Sequence, residues 1–136
     1  MKLTRLFFRT MRETPSDADT VSNQLLQRAG FVSKQGAGIY SFMPLGYRTL
    51  RKIEAIIREE MESVGAQEIM PPVLPSENEG AAGSRTAVLA GTVADAIRSY
   101  RDLPLLLYRV GPAYRENFRH RMGIMHSREY LAADAC

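Results

Sequence analysis

Apolar positions along the chain recur with two periods. From Pro44 to Val64, the residues Leu50, Ile53, Ile56, Ile57, Met61 and Val64 return at helical spacing, with Arg51, Lys52, Arg58, Glu59 and Glu62 on the other side. Glu54 stands one helical turn before Arg58, so opposite charges meet on neighbouring turns. Gly65 is the expected stop. An earlier helix is predicted to start at Thr14-Pro15-Ser16-Asp17, where Thr14 caps and Pro15 fits the first helical position. Val21, Leu25, Leu26 and Ala29 form its apolar stripe, and Gly30 ends it. Gly36-Ala37-Gly38 makes a turn into a short alternating strand, Ile39 to Phe42. Gln67 to Leu74 reads as a strand, but Pro71 and Pro72 cannot donate to a ladder, which assigns it to an edge or an interface. Residues 75–92 are small and polar and read as a loop, followed by a short helix from Val93 to Tyr100. Leu103 to Val110 reads as a buried strand. Ala113 to Phe118 and Ile124 to Leu131 read as a hairpin joined by Arg119-His120-Arg121-Met122-Gly123. Helices mixed with partly antiparallel strands predict an α+β fold, an antiparallel sheet flanked by helices.

Composition narrows the class. The 136 residues bound the chain to one domain, large enough for a core but small for an enzyme with several substrates. A hydrophobic share of 45% with 24% charged argues against disorder of the whole chain. The net charge of +3 is compatible with RNA binding without being diagnostic. Its distribution says more: from Arg98 to Arg128 every basic side chain that carries a fixed charge is an arginine, the residue whose fork suits phosphates and carboxylates. Cys136 is the single cysteine, so no disulfide framework forms within one chain. His120 and His126 lie in one short segment without a paired-ligand motif, and no metal site is expected. No apolar run has membrane length. The start, MKLTRLFFRTMRETP, lacks the long apolar core and small-residue cleavage site of a secretory signal, so a cytoplasmic protein is expected.

The basic hairpin carries the candidate chemistry. Side chains two apart on a strand share a face, so Arg115 and Asn117 point one way, and Arg128 and Tyr130 share a face on the returning strand. An arginine, an amide and an aromatic ring on one surface suit a nucleotide: the arginine forks onto phosphate and the ring stacks on a base. Arg119 and Arg121 would project past the sheet toward a nucleic-acid backbone. Taken alone, the same residues also describe an exposed hairpin with solubilising charges, which is the commoner case.

The order of these segments decides between the two. RETPSDADTVSNQLLQRAG, then GAGIYSFMPLGYRTLRKIEAIIREEMESVGAQEIMPPVL, resembles the start of bacterial-type prolyl-tRNA synthetases. The second stretch, about residues 36–74, is similar to motif 1 of the class II aminoacyl-tRNA synthetases, a long helix and a strand with an essential proline, here Pro72. That resemblance implies a homodimer with Pro72 at its interface. YRENFRHRMGIMHSREYLAADA, within about residues 113–135, resembles motif 2. It implies that Arg115 holds the α-phosphate of ATP and the carboxylate of proline, and that Tyr130 stacks on adenine. It further implies that Arg119, with Arg121 beside it in the loop, contacts the acceptor stem of tRNA(Pro). The expected fold is thus a partial class II synthetase catalytic domain. Its substrates are proline, ATP with Mg2+, and tRNA(Pro), with no tightly bound cofactor, no DNA partner and no membrane.

The sequence departs from that pattern in four places. Asn117 stands where the family has a glutamate that accepts from the adenine amino group; an amide oxygen accepts without charge, so ATP affinity should fall. The linker over residues 75–97 is much shorter than its family counterpart, whose Gly-Pro-Thr-x-Glu-Glu pattern holds the proline amine. Ala90-Gly91-Thr92 resembles a remnant, which leaves Thr92 as the amino-acid contact with no glutamate after it. Motif 3, with its second ATP-binding arginine, has no counterpart, and neither do the editing and anticodon-binding domains. The expectation is a single, incomplete catalytic domain over residues 1–136 whose synthetase activity is weak or lost. The alternatives are a non-catalytic, dimerising tRNA-binding paralogue or one part of a split synthetase.

Overall fold

The computed structural model describes residues 5–7, 9–16, 18, 20–72, 85–94, 97–114 and 123–136. They fall into two compact units, one formed by Met1–Ile53 with Arg115–Glu129 and one by Glu54–Tyr114 with Tyr130–Cys136.

In the first unit, helix α1 (Val21–Arg28) is capped by Thr20, whose hydroxyl accepts from Asn23 N. The helix starts later than Thr14-Pro15 suggests, because Thr20 is also a good cap and lies directly before the regular residues. Its end is the expected one. Gly30 has φ +68°, Gly30 N donates to Gln27 O at 3.0 Å and Phe31 N donates to Leu26 O at 2.9 Å. This paired closure needs a left-handed residue, and glycine supplies it without strain. The buried face, however, differs from the expected stripe. Val21 is 70% and Leu25 56% exposed, whereas Asn23 and Gln27 are buried. The two amides satisfy each other, Gln27 Nε2 donating to Asn23 Oδ1 at 3.1 Å. That pairing removes much of the cost of burying them.

Strands β1 (Val32–Gly36) and β2 (Ile39–Phe42) form an antiparallel hairpin with Ser33 across from Ser41 and an irregularity between Lys34 and Gly36. β1 was not anticipated: Val32-Ser33-Lys34-Gln35 carries little hydrophobic alternation, and its pairing comes from the glycine turn. The unit also holds a 3-10 turn, Gly123–His126. Gly123 has φ +62°, and a Cβ built there would run into the side chain of Asn23. Two residues past the turn, Arg128 N donates to Gly38 O at 2.8 Å. The segment that follows the basic loop is therefore held by α1 on one side and by the β1–β2 turn on the other.

Helix α2 (Pro44–Ser63) supplies its first half to this unit and its second half to the other. It ends as expected, with Gly65 at φ +79°, Gly65 N donating to Glu62 O and Ala66 N to Met61 O. In the second unit β3 (Gln67–Glu68) pairs in parallel with β4 (Leu107–Tyr114), and β5 (Glu129–Ala135) lies on the other side of β4. β3 is shorter than the Gln67–Leu74 strand because Pro71 and Pro72 have no N–H to donate; residues 73 and 74 lie outside those described. β4 joins parts of what read as two strands: it begins at Leu107 rather than Leu103 and runs through Gly111-Pro112 without a break to Tyr114, while residues 115–118 of the second expected strand lie outside those described. Ile124–His126 is a 3-10 turn rather than strand, and β5 runs further than Leu131. Helix α3 (Arg85–Ala94) occupies residues expected to be loop and reaches only the first two of the helix expected over residues 93–100. Residues 95 and 96 lie outside those described, residues 97–99 are not helical, and Tyr100 opens a 3-10 turn, Tyr100–Asp102. Alanine and leucine favour helix strongly enough to carry Gly91 and Thr92 within α3.

A polar cluster ties α2 to β3. Arg58 Nε lies 3.1 and 3.0 Å from the two carboxylate oxygens of Glu68, and Arg58 Nη1 lies 3.3 Å from Glu54 Oε2. The hydrogen bond to Glu68 raises the Arg58 pKa further above its ordinary value, against some desolvation. Next to it, Tyr108 on β4 is 1% exposed. Burial pushes its phenol pKa up, and the charges of Glu68 and Glu62 push it the same way. A folded-state pKa above the unfolded one favours the fold while the phenol is neutral. That contribution is full below the ordinary tyrosine pKa and is lost as pH rises through the folded-state value. Urea unfolding midpoints are therefore expected to keep this contribution up to the ordinary tyrosine pKa of about 10 and to drop above it. Tyr108→Phe should flatten that drop.

The two left-handed glycines give a second test. An added Cβ at Gly65 meets nothing, while one at Gly123 meets Asn23. Gly65→Ala should cost roughly 1 kcal/mol from backbone strain alone. Gly123→Ala should cost clearly more, about 2–4 kcal/mol, because overpacking adds to the strain. Chemical denaturation of both variants measures the difference.

Candidate functional site

Of the residues assigned to nucleotide binding, Tyr130 is described; Arg115 and Asn117, and the tRNA-assigned Arg119 and Arg121, lie outside the described residues. Tyr130 is the second residue of β5 and is half-buried. Its position follows from the ladder with β4. Leu107 N donates to Cys136 O and Cys136 N donates to Leu107 O, each at 2.9 Å. Such a reciprocal exchange marks a hydrogen-bonded antiparallel pair. Counting two residues along each strand sets Arg109 across from Asp134, Gly111 across from Ala132, and Ala113 across from Tyr130. Arg109 Nε lies 3.5 Å from Asp134 Oδ2, which agrees with that count.

All these side chains share one face, by the alternation of strands. Tyr130 is the bulky ring at one end of it, Arg109 and Asp134 stand at the other, and Gly111, Ala113 and Ala132 lie between. A ring beside small neighbours is a surface on which a planar group can stack. Tyr114 is the last described residue of β4, and Arg115 follows it in sequence.

Thr92 sits in the last turn of α3 and is exposed. It stands on a separate element from Tyr130, within a helix rather than the expected loop. Pro72 follows β3 and is exposed, while Pro71 is buried. The outer side of α2 and the segment after it expose Ile53 (49%), Ile56 (58%), Val64 (65%) and Met70 (94%). Among the described residues no group of three or more histidine, cysteine, aspartate or glutamate side chains is arranged to hold a metal ion. No helix is long and apolar enough to cross a membrane, again among the described residues.

Two features escaped the sequence reading. One is the Asn23 contact with Gly123, for which an apolar-stripe argument gives no signal. The other is the Arg109–Asp134 pair. A charged residue inside the apolar run Leu105 to Val110 was a usable signal, since arginine is buried almost only when paired.

No family model matches the chain. Its similarity to whole proteins is extensive. It is 40% identical over 159 positions to a proline-tRNA ligase of Pseudothermotoga lettingae, covering 98% of this chain and 28% of that protein. The same identity and coverage hold for a proline-tRNA ligase of Syntrophomonas wolfei. The 159 aligned positions exceed the 136 residues of this chain by 23, so at least 23 positions of the relative have no counterpart here. Among solved structures, the prolyl-tRNA synthetase of Cryptosporidium parvum complexed with L-proline and AMP superposes with a TM-score of 0.71 at 17% identity. The match covers 90% of this chain and 31% of that one. A complex of that enzyme with halofuginone and AMPPNP gives a TM-score of 0.70. These superpositions establish the fold as the α+β arrangement of the corresponding part of a prolyl-tRNA synthetase. The chain is therefore similar to one part of the proline-tRNA ligases and spans 28% of the length of the ones it matches.

Proposed function

We propose that this chain is a prolyl-tRNA synthetase-like protein whose own catalysis is weak or lost. The family activity joins proline to AMP, releasing pyrophosphate, and then passes proline to tRNA(Pro). The observation that carries the reading is the 40% identity to proline-tRNA ligases over 98% of the chain.

In this reading the carboxylate of proline attacks the α-phosphorus of ATP. Arg115 holds that carboxylate and the α-phosphate, and stabilises the charge that builds on the pentavalent phosphorus. Positioning and charge stabilisation are the main contributions a protein makes to such a step. Tyr130 stacks on adenine, and Asn117 accepts from the adenine amino group. Thr92 and Arg115 hold proline, and Arg119 and Arg121 grip the acceptor stem of tRNA(Pro). Mg2+ enters with the phosphates of ATP and is no resident of the protein.

Three features support weak or absent turnover. Asn117 lacks the charge of the family glutamate. No glutamate follows Thr92 to pair with the proline amine. At least 23 positions of the relative have no counterpart. Removing a single preorganised donor of this kind costs about 3 kcal/mol of transition-state stabilisation. The same features favour a second reading, a non-catalytic tRNA-binding paralogue or one part of a split synthetase. In either reading the chain acts in the cytoplasm as a homodimer through the motif 1 segment, about residues 36–74, with Pro72 at the interface. Exposed Ile53, Ile56, Val64 and Met70 support that dimer.

Proline-dependent exchange of pyrophosphate into ATP tests the activity. The chain is expected to exchange at least 100-fold more slowly than a complete relative, as the lost donor implies. Any residual exchange should disappear in Arg115→Ala; exchange at the relative's own rate contradicts the reading. Light scattering tests the assembly. A dimer at micromolar concentration is expected, with the Ile53→Glu, Ile56→Glu double variant monomeric, whereas a monomeric parent chain excludes the dimer.

A further inference from the structure

The β4–β5 pair needs something to specify its register. β5 is rich in alanine, Glu129-Tyr130-Leu131-Ala132-Ala133-Asp134-Ala135, and the face of β4 opposite it offers Gly111 and Ala113. Small side chains pack nearly as well after a slip of two residues, which keeps every residue on its own face. Among the side chains on this face, Arg109 and Asp134 carry the charges that such a slip would part. Their side chains are 7% and 16% exposed, with Arg109 Nε 3.5 Å from Asp134 Oδ2. Arg109 Nη2 also donates to Pro112 O at 2.9 Å, which holds the guanidinium against its own strand. A slip of two residues in either direction takes Asp134 away from Arg109 and sets it across from Leu107 or Gly111. The slip parts the two opposite charges where little solvent reaches them, which is costly.

We propose that the Arg109–Asp134 pair is a register key: a pair of positioning residues that sets Tyr130 across from Ala113 and so fixes where the stacking ring stands relative to the end of β4. Its role is specificity of alignment rather than net stability, since a buried ion pair is commonly matched in stability by an apolar pair of similar size. The value of this alignment for nucleotide binding rests on the function proposed above. The alignment itself does not.

Cys136 supplies the reporter, because it pairs with Leu107 in the native register and is the only cysteine of the chain. Directly opposed residues in such a pair come close enough for a disulfide. Leu107→Cys is expected to cross-link fully to Cys136 on mild oxidation, and Leu105→Cys, two residues away, is not. In the apolar double variant Arg109→Met, Asp134→Leu, the chain should fold, as read by circular dichroism, yet the Leu107→Cys cross-link should fall several-fold, and the slip that sets position 134 across from Leu107 should make the Leu105→Cys cross-link appear. A second set uses charge alone. Arg109→Asp should lose the native cross-link, and Arg109→Asp with Asp134→Arg should regain it. A native cross-link as complete in the apolar double variant as in the parent overturns the key. So does a charge-swapped pair that stays unlinked while folded. Titration with ATP separates the two claims. If the parent cross-links as expected but does not bind ATP, the nucleotide role fails and the register key stands. If the parent binds ATP and the slipped variants bind it equally well, the key does not position the site.

Discussion

Two hydrogen bonds exchanged between Leu107 and Cys136 join β4 to β5, and the second unit is built around that pairing. β4 is its central strand, bonded to β3 through Gln67 N to Leu106 O and Ile69 N to Tyr108 O on the opposite edge. Leu107, Tyr108 and Arg109 are all buried, so the strand is covered on both faces near its start. From that anchored end the ladder runs toward Tyr114 and Glu129, where the basic loop begins and ends in sequence. Tyr130, the described residue of the proposed nucleotide site, thus stands toward the other end of the ladder from that pair. That arrangement makes register a condition of function under the proposed reading.

Among the described residues, many of the buried side chains are polar. Beside Val32, Leu107 and several alanines, the buried set contains Asn23, Gln27, Glu54, Tyr108, Arg109 and Ser127. Each polar side chain needs a partner inside the protein. Gln27 finds Asn23, Glu54 finds Arg58, and Arg109 Nη2 finds Pro112 O. Arg109 Nε meets Asp134 at 3.5 Å as an ion pair without a hydrogen bond, and the Tyr108 hydroxyl has no hydrogen-bond partner among the described residues. Large apolar side chains such as Ile56, Val64 and Met70 remain outside. Polar pairs align elements more selectively than they stabilise them, whereas exposed apolar side chains grouped on one helix and the segment after it suit association. The proposed dimer and the register key are two consequences of the same distribution.

Much of this was legible in the sequence, and the exceptions have physical causes. The long helix Pro44–Ser63 and the glycine stops at Gly30 and Gly65 follow from periodicity and from the need for a left-handed residue. The relationship to prolyl-tRNA synthetases followed from two long motifs in order, and similarity over 98% of the chain agrees with it. The inward face of α1 was misread because hydrophobic spacing assumes apolar residues point in, while Asn23 and Gln27 satisfy each other there. The extent of β4 was misread because Gly111-Pro112 looks like a break, although a strand can carry proline where its nitrogen has no ladder bond to make. Helix α3 was misread as loop because small residues signal turns and helices alike. Tyr130 was correctly set on a strand of the hairpin, but its partner across the ladder depends on the Leu107–Cys136 pairing, which no local pattern reveals.

The central claim is that this chain keeps a prolyl-tRNA synthetase nucleotide site weakened at Asn117. The most direct measurement is a calorimetric titration of the chain with ATP, run beside Asn117→Glu. A carboxylate accepts a hydrogen bond more strongly than an amide by about 1 kcal/mol, so the variant should bind ATP roughly fivefold more tightly. GTP, which has a carbonyl where adenine has its amino group, should show no such gain. Equal affinity for ATP in the two proteins, or the same gain with GTP, would contradict the account.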